Sequence, residues 1–155
     1  MVRLEKIEYS ENRRKPEKAA SYDKKYERQL HKRISDWREK RLLSVLLGST
    51  GRHELALDVP SGAGRLSGII ARHTAKLCEV DYSREMLRLC LRNASGYRPL
   101  AAVASVFQLP FANLAFDLVV SIRLSHHIPD LEARRDHLRE LFRVSRKFVL
   151  LTFFG

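Results

Sequence analysis

The chain has 155 residues, 45% of them apolar and 30% charged, a composition that fits one folded domain and excludes wholesale disorder. Its 29 Lys and Arg against 18 Asp and Glu leave a net charge of +11, which favours acidic partners without choosing among nucleic acid, a membrane surface and an anionic ligand. No apolar run approaches the ~20 residues of a spanning helix.

The amino terminus, MVRLEKIEYSENRRKPEK, lacks a signal-peptide core. Cys78 and Cys90 alone can build neither a disulfide framework nor a zinc site. A cytoplasmic protein with two reduced thiols is expected.

Two regions are expected, a basic arm and helix over 1–50 and a core over 51–155, with net charges of +6 and +5. The first twenty residues show no apolar periodicity and read as a loose arm. A helical pattern follows from about Ser21, with Leu30, Ile34, Trp37, Leu42, Val45 and Leu46 expected along one buried face and Gly48-Ser-Thr-Gly51 as its stop. Tyr22 and Tyr26 are amphipathic positions of this segment.

After Gly51, strand and helix signals alternate. Leu55–Val59 reads as a strand ending in a Gly-rich turn, then a helix over about 65–73. Leu77–Val80 is a second strand, and Ser83 caps a helix carrying Met86, Leu87, Leu89, Cys90 and Leu91. Leu100–Val106 is a third strand. Phe116–Ile122 is a fourth, apolar enough to be buried on both faces.

Asp130 begins a helix with Leu131, Leu138, Leu141, Phe142 and Val144 inward and its arginines outward. The fifth strand is placed at Phe148–Phe154. Alternation of this kind predicts an α/β fold with right-handed crossovers and a parallel sheet covered on both faces.

Ligands of such sheets bind beyond the carboxyl ends of the strands. The first strand ends in Asp58-Val-Pro-Ser-Gly-Ala-Gly64, where Gly62 and Gly64 let the backbone approach a ligand closely. Asp81 ends the second strand 23 residues after Asp58, close to the ~20-residue spacing at which a carboxylate meets a ribose diol. Glycine turn and acid together point to an adenosine-type ligand.

The motifs LDVPSGAGRL (57–66), VDYSREML (80–87), VFQLPFANLAFDLVVSIRLSHHIPD (106–130) and LRELFRVSRKFVLLTF (138–153) resemble, in order and spacing, those of class I S-adenosylmethionine-dependent methyltransferases of the type 11 group. The resemblance implies a Rossmann-like three-layer sandwich with strand order 3-2-1-4-5 and S-adenosylmethionine as cofactor. It implies that Asp58, Pro60, Ser61, Gly62 and Gly64 line the methionine portion and that Asp81 holds the ribose hydroxyls. Tyr82 and Met86 would pack near the adenine, with Ser105 and Val106 at its edge, and Ser121 to His127 would approach the sulfonium and the acceptor.

Pro60 stands where the family has a glycine, in a turn expected to tolerate it, and Ser105 stands where the family has an aspartate, whose lost charge implies weaker cofactor affinity. His126 and His127 are candidates for a general base, and no ligand set for a metal surrounds them.

The expected acceptor is a small molecule, and nucleic acid is not an expected partner, because no aromatic platform accompanies the basic residues. Two further strands follow the fifth in the family and are not seen after Phe154 here, as expected of a partial gene product or of an edge Phe148–Phe154 that associates with a second copy or a partner. Two alternatives stand beside the enzyme. One is a catalytically silent module of the same fold, and the other is a nicotinamide-dependent oxidoreductase, which Gly62, Gly64 and Asp81 fit loosely.

Overall fold

A computed structural model describes residues 30–152. The basic arm, Tyr22, Tyr26 and the apolar residues Phe153 and Phe154 lie outside this range. The order of elements is α1 (Leu30–Thr50), β1 (His53–Asp58), α2 (Ser67–Arg72), β2 (Thr74–Asp81), α3 (Arg84–Asn93), β3 (Leu100–Val103), β4 (Phe116–Ser121), α4 (Leu131–Val144) and β5 (Ser145–Leu151). A short 3₁₀ turn at Ser125–His127 separates β4 from α4.

The five strands form one parallel sheet in the order β3-β2-β1-β4-β5, as expected. All six residues of β4 are buried, because β1 and β5 flank it and helices cover both faces. One core layer joins Leu57, Val59, Cys78, Val80, Val119, Leu141 and Val144, on the α4 side. The other joins Leu43, Leu47, Ala56, Ile69, Ile70, Leu77 and Val120, on the side of α1 and α2. The Ser83 cap read from sequence forms, its Oγ accepting from the Met86 N–H, and Asp130, expected at the start of α4, caps that helix by accepting from the Ala133 N–H at Oδ1.

The buried face of α1 is not the expected one. Leu43 and Leu47 pack inward, while Ile34, Trp37, Leu42, Val45 and Leu46 are exposed. At 100° per residue, Asp36 and Glu39 share the side of Leu43 and Leu47. Asp36 pairs with Arg65, and Glu39 with Arg65 and Arg123, and these ion pairs fix the rotation of the helix. The helix also continues through Gly48 to Thr50 and stops at Gly51, whose φ is +78°.

On α4 the inward stripe is His137, Leu141 and Val144, with Leu131 and Phe142 exposed; Phe142 lies one helical step round from Leu141. The arginines of α4 do not all face solvent. Arg143 donates to the Leu109 and Phe111 carbonyls at 2.9 and 2.7 Å, to Asn113 Oδ1 and to Glu140. It clasps the segment between β3 and β4.

Strand boundaries also shift. Strand β3 stops at Val103, ahead of the expected Val106, and β5 begins at Ser145, ahead of Phe148. Arg146 and Lys147 therefore belong to β5, and both pair with Asp117 of β4. The edge strand carries two charges near its start, a feature that discourages sheet extension.

Candidate functional site

The parallel sheet brings the carboxyl ends of β1, β2 and β4 to one edge. After β1 the chain turns through Val59–Ala63. The Ser61 N–H donates to the Val80 carbonyl at 2.9 Å and the Gly62 N–H to Asp81 Oδ2 at 2.9 Å. The turn is therefore hydrogen-bonded to the end of β2.

Gly62 and Gly64 have φ of +57° and +80°, a region that disfavours side chains. They differ in surroundings. A Cβ on Gly64 would stand 3.0 Å from Cys90 Sγ and 3.2 Å from Cys90 Cα, whereas one on Gly62 meets nothing within 4 Å. Gly64 lets α3 pack closely, and Gly62 borders open space. Asn93 of α3 donates to the Ala63 carbonyl at 3.0 Å.

Asp81 is 8% exposed. Its second oxygen, Oδ1, accepts from the Ser83 N–H at 2.8 Å. Backbone amides on both oxygens orient the carboxylate at the edge of the turn. Ser61 Oγ is buried with no hydrogen-bond partner among the described residues. An oriented acid, an orphaned buried hydroxyl and an open glycine turn fit an adenosine-containing cofactor.

The other sequence-predicted residues separate into a mouth and a supporting layer. Pro60, Gly62 and Tyr82 are partly exposed at the mouth. Met86 packs beneath the turn against Ala63. Val106 lies in the core, and Ser105 uses its hydroxyl to accept from the Phe107 N–H at 3.3 Å, closing its own turn.

Ser121, at the end of β4, is buried with its Oγ 3.4 Å from His137 Nε2. Burial lowers the pKa of His137 below the ordinary histidine value, partly offset by the Val106 carbonyl near Nδ1. The His126 and His127 rings lie with centroids 3.9 Å apart and planes inclined at 43°, and His126 is exposed. No cluster of metal-ligating side chains occurs among the described residues.

Two residues that pattern reading missed stand out. Asp117 is fully buried and takes hydrogen bonds from Glu54 N and Arg146 at 3.0 and 2.6 Å. Burial opposes its ionisation, but Arg146, Lys147 and the amides of Glu54 and Leu55 hold its carboxyl far below the usual range. Glu79, in the middle of the apolar stretch of β2, is fully buried beside Asp58. A carboxylate inside an apolar strand pattern was the available signal for both.

Fold and site together define an α/β domain with a glycine turn and an acidic strand end at the carboxyl edge of its parallel sheet. A model of the methyltransferase domain family matches residues 57–152. The chain belongs to this family, as a class I S-adenosylmethionine-dependent methyltransferase domain. Its family's cofactor is S-adenosylmethionine, and membership sets the nicotinamide alternative aside.

Among curated proteins, the chain is 31% identical over 103 residues to a tRNA (carboxymethyluridine(34)-5-O)-methyltransferase of Xenopus tropicalis. That match covers 65% of the chain and 15% of the relative. A Methanococcus maripaludis protein assigned as an S-adenosyl-L-methionine-dependent methyltransferase superposes with a TM-score of 0.66 at 17% identity, over 90% of this chain and 65% of that one. Magnesium protoporphyrin IX methyltransferase of Synechocystis, solved with S-adenosylmethionine, gives 0.64 at 19%, over 77% and 59%. The structural likenesses establish the fold. The chain spans less than two thirds of the length of these proteins.

Proposed function

We propose that this chain binds S-adenosylmethionine across the glycine turn and transfers its methyl group to a nucleophilic atom of a small-molecule acceptor. The observation that carries the reading is the Gly62–Asp81 hydrogen bond, which sets an oriented carboxylate beside an open turn at the sheet's carboxyl edge. Bound there, the cofactor supplies an electrophilic methyl group on a sulfonium leaving group.

The chain's own residues bind and align. Asp81 accepts from the ribose hydroxyls, Ser61 and Gly62 line the methionine portion, and Tyr82 borders the adenine. Ser121 and His137 hold the end of β4, from which the chain runs to His126 and His127 on the acceptor side. Alignment and exclusion of water are the protein's contribution to an in-line transfer.

Calorimetric titration with S-adenosylmethionine and, separately, with nicotinamide dinucleotides tests the reading. Micromolar binding of the first alone supports it, and no binding by folded protein refutes it. Transfer of labelled methyl to a small-molecule extract then tests the acceptor class.

A second acceptor class has an observation in its favour. The identity to a tRNA methyltransferase coincides with an open groove between α1 and α2 lined by Trp37, Lys40, Arg41, Arg65, Arg72 and Tyr97. Arg41 lies over the Trp37 ring, 5.5 Å from its centroid. Salt-sensitive binding of single-stranded RNA that is lost in Arg41→Ala/Arg72→Ala would move the reading to a nucleic-acid acceptor.

A further inference from the structure

Asp58 and Glu79 are register partners across the parallel β1–β2 pair, so their side chains emerge side by side on one face of the sheet. Both are buried, Glu79 completely. Ser67 of α2 directs its hydroxyl to Asp58 Oδ2 at 3.5 Å, and that hydroxyl is 3.7 Å from the Cys90 thiol of α3. No N–H or hydroxyl among the described residues donates a well-formed hydrogen bond to either carboxyl oxygen of Glu79, whose polar neighbours include the Asp58 carboxyl, the Ser67 hydroxyl and the Cys90 thiol, and the nearby Ser61 hydroxyl is likewise unsatisfied. No ion pair among the described residues reaches either acid.

Two adjacent carboxyls shut away from water and from cations cannot both ionise. Burial, and for Asp58 also the charge of Glu79, push both upward, Glu79 to about 7 and Asp58 well above the usual carboxylate range. The other titratable groups around them do not supply compensating charge. Burial drives the Cys90 thiol and the Tyr97 phenol up to about 12 and the Cys78 thiol up to about 11, so all three stay neutral near pH 7. Asp81, two residues after Glu79 on the same face, is a further carboxylate and adds repulsion at Asp58.

We propose that Asp58 and Glu79 share a proton in the cofactor-free protein, and that binding of the cationic methyl donor at the adjoining turn expels this proton to solvent. Glu79 is then a positioning residue: it holds the proton that Asp58 must lose to face a cation. The inference rests on the cofactor reading above. No bond of the donor changes in the step; the singly protonated, monoanionic pair plus cationic donor gives the dianionic pair with donor bound, and one proton is taken up by buffer.

Calorimetry of the 155-residue chain with S-adenosylmethionine at pH 7, in buffers of different ionisation enthalpy, reads the proton directly. The expected result is release approaching one proton per donor bound, with affinity rising up to tenfold per pH unit below neutrality. In Glu79→Gln, release falls severalfold while binding persists. Binding without release, or equal release from Glu79→Gln, overturns the inference, the latter by assigning the proton to the ligand's own amino group. No binding by folded wild-type chain overturns the cofactor reading as well.

Should Glu79→Gln fail to fold, infrared difference spectra of the wild type decide. Loss of a protonated-carboxyl band on adding the donor is expected, and an unchanged band overturns the inference.

Discussion

The Gly62 N–H and Asp81 Oδ2 lie 2.9 Å apart, so the turn after the first strand and the acid that ends the second are one structural unit. A change at Asp81 acts on both. Asp81→Ala should weaken S-adenosylmethionine binding by about 10- to 100-fold, the loss of charge-assisted hydrogen bonds worth ~1.5–3 kcal/mol. Calorimetry measures it, and an unchanged affinity would remove Asp81 from the site.

The two turn glycines should respond differently to alanine. Both pay for a positive φ with about 1 kcal/mol. Gly64→Ala must also displace Cys90, whose Sγ and Cα would lie 3.0 and 3.2 Å from the new Cβ, so about 2–3 kcal/mol is expected in total. Urea denaturation of the two variants should show Gly64→Ala as clearly the less stable; equal midpoints would contradict the packing described for α3.

Stability should peak between two opposing titrations. Asp117 and His137 both have lowered pKa values. Their contributions are present above the unfolded values of about 3.9 and 6.5 and are lost as pH falls, His137 first. Asp58 and Glu79 have raised values. Their contribution is present below about 4.3 and is lost as pH rises, through about 7 for Glu79. Denaturation midpoints from pH 3 to pH 9 should trace a maximum in the mildly acidic range, and Glu79→Gln should flatten its alkaline side. An alkaline limb as steep in that variant as in wild type would show that the buried pair is not its source.

Arg143 and Arg139 sit four residues apart on one helix and should behave differently. Arg139 makes an exposed pair with Asp136, and its replacement by alanine should cost at most about 0.5 kcal/mol. Arg143→Ala strands the Leu109 and Phe111 carbonyls and Glu140, for about 2 kcal/mol. Hydrogen exchange at Leu109, whose N–H donates to Glu140 Oε2 at 2.8 Å, should accelerate in the second variant alone.

The alternation of strands and helices, the strand order that the motif resemblance implied, the cap at Ser83 and the helix start at Asp130 were legible in the chain, because each depends on local pattern or on a motif of contiguous residues. So were the glycine turn and Asp81 as site candidates. What sequence left open depends on which side of an element meets its neighbour. Helix α1 has apolar residues on opposite sides, and only the tertiary structure, which packs Leu43 and Leu47 into the core and pairs Asp36 and Glu39 with Arg65 and Arg123, decided that those leucines are buried and Trp37 is not.

Arg143 looked like any other arginine of a solvated face until the segment after β3 came to lie against it. Glu79 sat unremarked in an apolar strand, because its significance is its register partner Asp58, and register is a property of the sheet. Sequence determined the elements and the family of the site, through periodicity and motif. The rotation of α1, the clasp of Arg143 and the meeting of two buried carboxyls were decided by tertiary structure, because each joins residues that are distant along the chain.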